Sequence, residues 1–234
     1  MIDIKNKKAI FFDFGDTIAS TVPTYPDRIR IALSELGYDF TESQYFKAFQ
    51  YADFQIYKNY VHDSKITSSI YQNSLFSIIL SELRIPLNIE DARKLINNKM
   101  AGSGFTRKLL PGADILLKNL HKSGYRLAII SNNDGKTAEK CNEVGIANYF
   151  ELIIDSTNVN KIKPDKDIFL LASNKLGIEP KYILHIGDLY GADILGARNA
   201  GIDAVWINQR DGANYEGIDV IEVSNLSELS ELFK

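Results

Sequence analysis

The sequence predicts an α/β protein: a doubly wound, mainly parallel sheet carrying an inserted α-helical cap. Three observations predict it. Apolar runs of strand length recur along the chain and are nearly continuous, as in strands buried on both faces. Amphipathic segments of helical spacing separate them. Glycine follows four of those segments, at Gly124, Gly145, Gly177 and Gly201, where a left-handed helix end needs it.

The first strand runs from Ala9 to Phe12 and ends on Asp13. The rhythm then breaks, because the next strand–helix unit opens only at Leu110-Pro111-Gly112. The intervening stretch reads as helical. Thr41-Glu42-Ser43-Gln44 has the form of a capping box. Behind it Tyr45, Phe46, Phe49, Ala52, Ile56, Tyr57 and Tyr60 recur at helical spacing. Further helices are expected from about Ser68 to Leu83 and from about Glu90 to Met100. Pro23 and Pro26 mark the entry; Gly102-Ser103-Gly104 and Pro111 mark the exit. Residues 20–104 are therefore expected to form a helical cap, with 1–19 and 105–234 forming the α/β core. In the core, strands are expected at Arg126 to Ile130, Leu152 to Ile154, Tyr182 to Ile186 and Ala204 to Ile207. Helices are expected at Ala113 to Lys122, Lys136 to Val144, Lys166 to Leu176 and Ala192 to Ala200. Eleven of the 24 Phe and Tyr residues fall between Tyr38 and Phe76. The small helical unit needs large side chains for a core of its own, and one or two of these rings are expected to face the site.

Composition excludes several classes of function. The chain has 234 residues, enough for a core without metal or disulfide staples. Lys plus Arg is 27 and Asp plus Glu is 30, so the net charge of −3 offers no broad basic face for nucleic acid. A single cysteine, Cys141, rules out an intrachain disulfide. The apolar start is too short and too soon acidic for a signal peptide, and no run of about 18 apolar residues could span a membrane. A cytoplasmic protein, monomer or homodimer, acting on a small molecule is the expectation.

In open α/β sheets the ligand crevice lies beyond the carboxyl ends of the strands. The polar residues there are Asp13-Phe14-Gly15-Asp16-Thr17, Ser131-Asn132-Asn133-Asp134 and Gly187-Asp188-Leu189-Tyr190-Gly191-Ala192-Asp193. Lys163-Pro164-Asp165 stands at a helix start. Carboxylates gathered so closely repel unless a cation sits among them, and a hard ion such as Mg²⁺ suits oxygen ligands.

This order and spacing resembles the haloacid dehalogenase superfamily of hydrolases. Its D-x-D-x-T motif is similar to Asp13 through Thr17. Its strand ending in Ser-Asn matches Ile130-Ser131-Asn132, its Lys-Pro-Asp matches Lys163-Pro164-Asp165, and its G-D-x-x-x-x-D matches Gly187-Asp188 through Asp193. The resemblance implies a Mg²⁺-dependent phosphatase of a small phosphorylated metabolite. Asp13 would be the nucleophile and Lys163 a fixed positive charge. Thr17, Ser131, Asn132 and Lys163 would hold the phosphoryl group. Asp13, the backbone carbonyl of Gly15, Asp188 and Asp193 would surround the metal.

Gly15 is the departure, because phosphatases of this superfamily carry there the Asp that acts as general acid. Loss of such a group commonly costs about 10²- to 10⁴-fold in rate, mainly with poor leaving groups. Three readings stand. Asp16, one residue on, supplies the proton. The substrate has a good leaving group, such as an acyl or aryl phosphate. The chemistry is instead that of a 2-haloacid dehalogenase or a phosphonate hydrolase. The dehalogenases do without the metal, so Asp188 and Asp193 argue against them. The phosphonate enzyme needs an early cap lysine where this chain has Arg28 and Arg30. A weakly active, non-catalytic relative is the remaining alternative. Singly, each residue also has a plainer reading: Asp13 as a helix cap, Lys163 as a surface charge, Ser131 and Asn132 as turn residues, Asp193 as a first-turn helix acid. His185, inside a strand, reads as a core histidine.

Overall fold

The structure, a computed structural model, describes residues 3–62, 66–102 and 104–234. Met1, Ile2 and Ser103, which entered the sequence reading, lie outside the described residues.

Six parallel strands form the main sheet. They are β1 (Ala9–Phe12), β4 (Arg126–Ser131), β5 (Leu152–Asp155), β6 (Ile183–Gly187), β7 (Asp203–Ile207) and β8 (Ile221–Val223), in the order β5-β4-β1-β6-β7-β8. All four residues of β1 are fully buried, which explains its unbroken apolar run. Phe11 packs toward Ile168, Phe169 and Ala172 of α8 (Lys166–Leu176). Ile10 and Phe12 pack on the opposite face with Leu116, Leu117 and Leu120 of α5 (Ala113–Lys122) and Leu229 of α10 (Leu226–Glu231). Each such side chain contributes about 1.5–3 kcal/mol through burial, so both faces hold the sheet. The order of the strands reverses beside β1, which creates a crevice at their carboxyl ends.

The expected core strands, and all but one of the expected core helices, are present within a few residues. Gly124, Gly145, Gly177 and Gly201 have φ of 83°, 75°, 64° and 75°, the left-handed ends expected of them. One helix differs. Ala192 to Ala200 was expected as a single α-helix, but a wider π turn occupies Tyr190–Leu195 and α9 covers only Gly196–Asn199. The widening accompanies a side-chain bond: Asp193 turns back to accept the Leu189 N–H at 3.1 Å.

The insert contains α1 (Tyr25–Glu35), α2 (Glu42–Tyr60), α3 (Ser68–Glu82) and α4 (Ile89–Gly102). Thr41 and Gln44 form the expected capping box, with bonds of 3.2 and 2.7 Å. A two-stranded antiparallel ribbon, β2 (Ala19–Val22) with β3 (Thr106–Leu109), carries the chain in and out. Tyr45, Phe49, Tyr71 and Phe76 build a separate core with Ile29, Leu33 and Ile79. Phe54 breaks that pattern. It joins the cluster on the α8 side of the sheet and stacks on Tyr215 at 4.6 Å.

Candidate active site

Phe12 pairs with Ile129 on one side and Ile186 on the other. That register sets Asp13, Ser131 and Asp188 on one edge of the sheet. Among the described residues, carboxylate oxygens of Asp13, Asp188 and Asp193 lie within 4.8 Å of one another. The Lys163 ammonium sits between two of them, 2.6 Å from Asp13 Oδ1 and 2.6 Å from Asp193 Oδ1. Its third donor goes to the Ile130 carbonyl at 2.8 Å. With all three protons engaged, Lys163 serves this structure as a fixed charge that gathers acids.

The electrostatics are unbalanced. Burial pushes Asp13 up to about 6; the Lys163 charge opposes this and the Asp193 charge adds to it. Burial also raises Asp188 well above the carboxylate range, and the charges of Asp16, Asp13 and Asp193 raise it further. Burial works the same way on Asp193, but Lys163 and His185 outweigh it and hold the acid down at about 2. Three carboxylates and one ammonium leave two excess negative charges when all are ionised. The donor set is oxygen throughout and the excess equals the charge of a divalent cation, so these residues fit a hard ion such as Mg²⁺.

The other expected residues have defined places. Thr17, fully buried, donates to Asp188 Oδ1 at 3.2 Å. Asn132 clamps the backbone of Lys163, donating to its carbonyl at 2.9 Å and accepting from its N–H at 2.8 Å. Ser131 is 3% exposed at the end of β4, and its hydroxyl has no protein partner among the described residues. A phosphoryl oxygen could take that donor. Asp16 has a left-handed φ of 52°. Its Oδ1 accepts from Ser20 and its Oδ2 from Arg210 at 3.0 Å. Both oxygens being engaged, Asp16 is an anchored acceptor rather than a free acid. A Cβ on Gly15 would meet only Asp13 Oδ2, at 4.0 Å.

Sequence reading missed four residues. His185 is buried in β6, as expected of a core histidine, but its Nε2 also contacts Asp193 Oδ1 at 3.0 Å. Asp155 ends β5 and accepts from the N–H groups of Gly135, Thr137 and Thr157 at 3.0, 3.2 and 3.0 Å, which fixes the loop after Ser131. Its place after an apolar strand was the available signal. Arg210 pairs with Asp16 and lies 5.0 Å from the centre of the Phe46 ring. Asp53 reaches the site from α2, on the same stripe as Phe49, Ala52 and Ile56.

A family model described as haloacid dehalogenase-like hydrolase matches residues 10–207. The chain belongs to that family. The glyceraldehyde 3-phosphate phosphatase of Methanothermobacter thermautotrophicus is 27% identical over 236 residues, covering 96% of this chain and 99% of that protein. The crystal structure of a phosphatase of the same family from Thermococcus onnurineus superposes with a TM-score of 0.60 at 22% identity, covering 97% of each chain. A 2-haloacid dehalogenase from Pseudomonas syringae superposes with a TM-score of 0.57 at 21% identity, covering 97% of this chain and 98% of that one. Such structural likeness shows the α/β fold and does not separate the two chemistries. Together with the family, the phosphatase relative supports a phosphoric monoester hydrolase. No described helix is long and apolar enough to cross a membrane.

Proposed function

We propose that this hydrolase is a Mg²⁺-dependent phosphatase of a small phosphorylated metabolite, working through an aspartyl phosphate on Asp13 in the cytoplasm. The observation that carries the reading is the convergence of Asp13, Asp188 and Asp193, with Lys163 paired to the first and the last. Asp13, Asp188, Asp193 and the Gly15 carbonyl would hold the ion. When bound, the ion neutralises the acids and the phosphoryl oxygens, so that an anionic nucleophile can approach an anionic substrate.

Asp13 attacks phosphorus through Oδ2, while Lys163 holds Oδ1. The bond to the leaving oxygen breaks as the Asp13–phosphorus bond forms. Ser131 donates its hydroxyl to a phosphoryl oxygen. Water then attacks the phosphorus of the aspartyl phosphate, releasing phosphate and restoring the Asp13 carboxylate. Thr17 and Asn132 act at one remove, Thr17 by orienting Asp188 and Asn132 by fixing the Lys163 backbone. The helical insert, residues 20–104, serves as the cap that shields the site on the core formed by 1–19 and 105–234.

Gly15 favours a substrate whose leaving group departs without a side-chain proton, such as an acyl or aryl phosphate. The anchored Asp16 supports this over proton donation by Asp16. Glyceraldehyde 3-phosphate, named in the Methanothermobacter relative, belongs in the substrate panel beside these. The test is phosphate release across leaving groups of graded strength, with Mg²⁺ and with a chelator. Release that needs Mg²⁺ and is lost in Asp13→Asn supports the reading. Chelator-resistant turnover of a 2-haloacid, without phosphate release, overturns it.

A further inference from the structure

We propose that Asp53, on the inserted helix α2, is a positioning residue that fixes the turn between Asp188 and Asp193 and so links docking of the insert to formation of the acidic site. Its consequence for metal binding rests on the function proposed above; its effect on the turn does not.

Asp53 is 2% exposed and is the only buried carboxylate of α1–α4 among the described residues. A buried acid on an apolar helix face costs stability unless its oxygens find donors. Both find backbone donors on the core. Oδ2 accepts from the Gly191 N–H at 2.5 Å and Oδ1 from the Ala192 N–H at 3.1 Å. These groups belong to the first turn of the 190–195 segment, whose preceding residue, Leu189, supplies no side-chain cap. Asp53 therefore caps that turn from a distant part of the chain.

Asp193 holds the same turn from the other side by accepting from the Leu189 N–H at 3.1 Å. Two carboxylates thus take three of the turn's N–H groups, and one of the two belongs to the acidic cluster. Close approach is required: a Cβ on Gly191 would lie 2.5 Å from the Asp53 carbonyl oxygen. Along the rest of α2, Phe54 stacks on Tyr215 and Lys58 pairs with Glu216 at 3.2 Å, so the helix is laid against the core over several turns. The only tryptophan, Trp206, donates to the Asp188 carbonyl at 2.9 Å and lies 5.0 Å from the Tyr190 ring. Its fluorescence reports on this turn.

Two readouts test the proposal in the full-length chain. The first is hydrogen exchange in metal-free protein, followed on a peptide spanning residues 188–195. Asp53→Asn should speed exchange there about tenfold, and Gly191→Ala should do the same by pushing α2 away. Lys58→Ala, which removes a docking contact outside the turn, should leave that peptide unchanged. The second is titration with Mg²⁺ followed by Trp206 fluorescence. Asp53→Asn should move the midpoint about tenfold upward, while Lys58→Ala leaves it in place. Unchanged exchange at 188–195 in both Asp53→Asn and Gly191→Ala overturns the proposal. So does equal loosening of that peptide in Lys58→Ala, because the residue would then only stabilise the fold. Should Asp53→Asn not fold, Gly191→Ala decides by the same readouts. A wild-type protein whose fluorescence ignores Mg²⁺ counts against the phosphatase reading alone, and the exchange result still judges Asp53.

Discussion

Lys163 Nζ donates to Asp13 Oδ1 at 2.6 Å across 150 residues of chain. The contact joins the end of the first strand to a loop ahead of α8, and Asn132 fixes the lysine from the loop between them. A buried cation ringed by acids is coupled to all of them. Lys163→Met should therefore leave Asp13 and Asp193 buried without their partner and cost about 3–5 kcal/mol. Urea unfolding at neutral pH measures this. An unchanged midpoint would mean that the acids do not depend on the lysine.

Gly15→Asp restores a carboxylate two residues beyond Asp13, into space where only Asp13 Oδ2 comes within 4 Å. Turnover of alkyl phosphates should rise by up to about 10²-fold, and that of aryl phosphates by far less, since only poor leaving groups need the proton. Steady-state kinetics on matched alkyl and aryl substrates checks this. Equal gains on both contradict the leaving-group argument.

Asp16→Asn keeps a residue type that tolerates the left-handed backbone but removes the charge facing Arg210. Stability should fall by at most about 1 kcal/mol. The dependence of rate on leaving-group strength should not change. A steeper dependence in the variant would show that Asp16 delivers the proton after all.

The acidic site also sets a pH dependence. In metal-free protein Asp13 is raised from 3.8 to about 6 and Asp53 from 3.8 to about 7, both chiefly by burial. The folded state thus binds protons more tightly than the unfolded chain between about pH 4 and pH 7, so stability falls as pH rises through that window. Mg²⁺ needs the ionised acids, so its stabilising effect should be small at pH 5 and large at pH 8. Thermal unfolding with and without Mg²⁺ at the two values tests this. Equal Mg²⁺ shifts at both would contradict the acid cluster as the binding site.

Much of this architecture was legible in the chain. Strands buried on both faces announce themselves as unbroken apolar runs, and the Thr41–Gln44 box and the four helix-ending glycines are local signals. Asp13, Ser131 and Asp188 were legible because each stands at the end of a strand. The ribbon of β2 and β3 was not, since four-residue strands pairing Ala19 with Leu109 leave no local period. Nor were the partners of the chemical groups. Arg210 meets Asp16 across 194 residues, and His185 meets Asp193 only because the chain turns back over β6. Asp53 could have been noticed as an acid on an apolar stripe, but its target lies 138 residues away.

The gathered acids are expected to hold a divalent ion that lets Asp13 form an aspartyl phosphate, a mixed anhydride. Rapid acid quench during turnover, followed by mass spectrometry of the Asp13 peptide, tests it most directly. A phosphoryl adduct on Asp13 is expected in the presence of Mg²⁺ and none with a chelator. Full turnover without metal, or a phosphoryl adduct on any other residue, would contradict it.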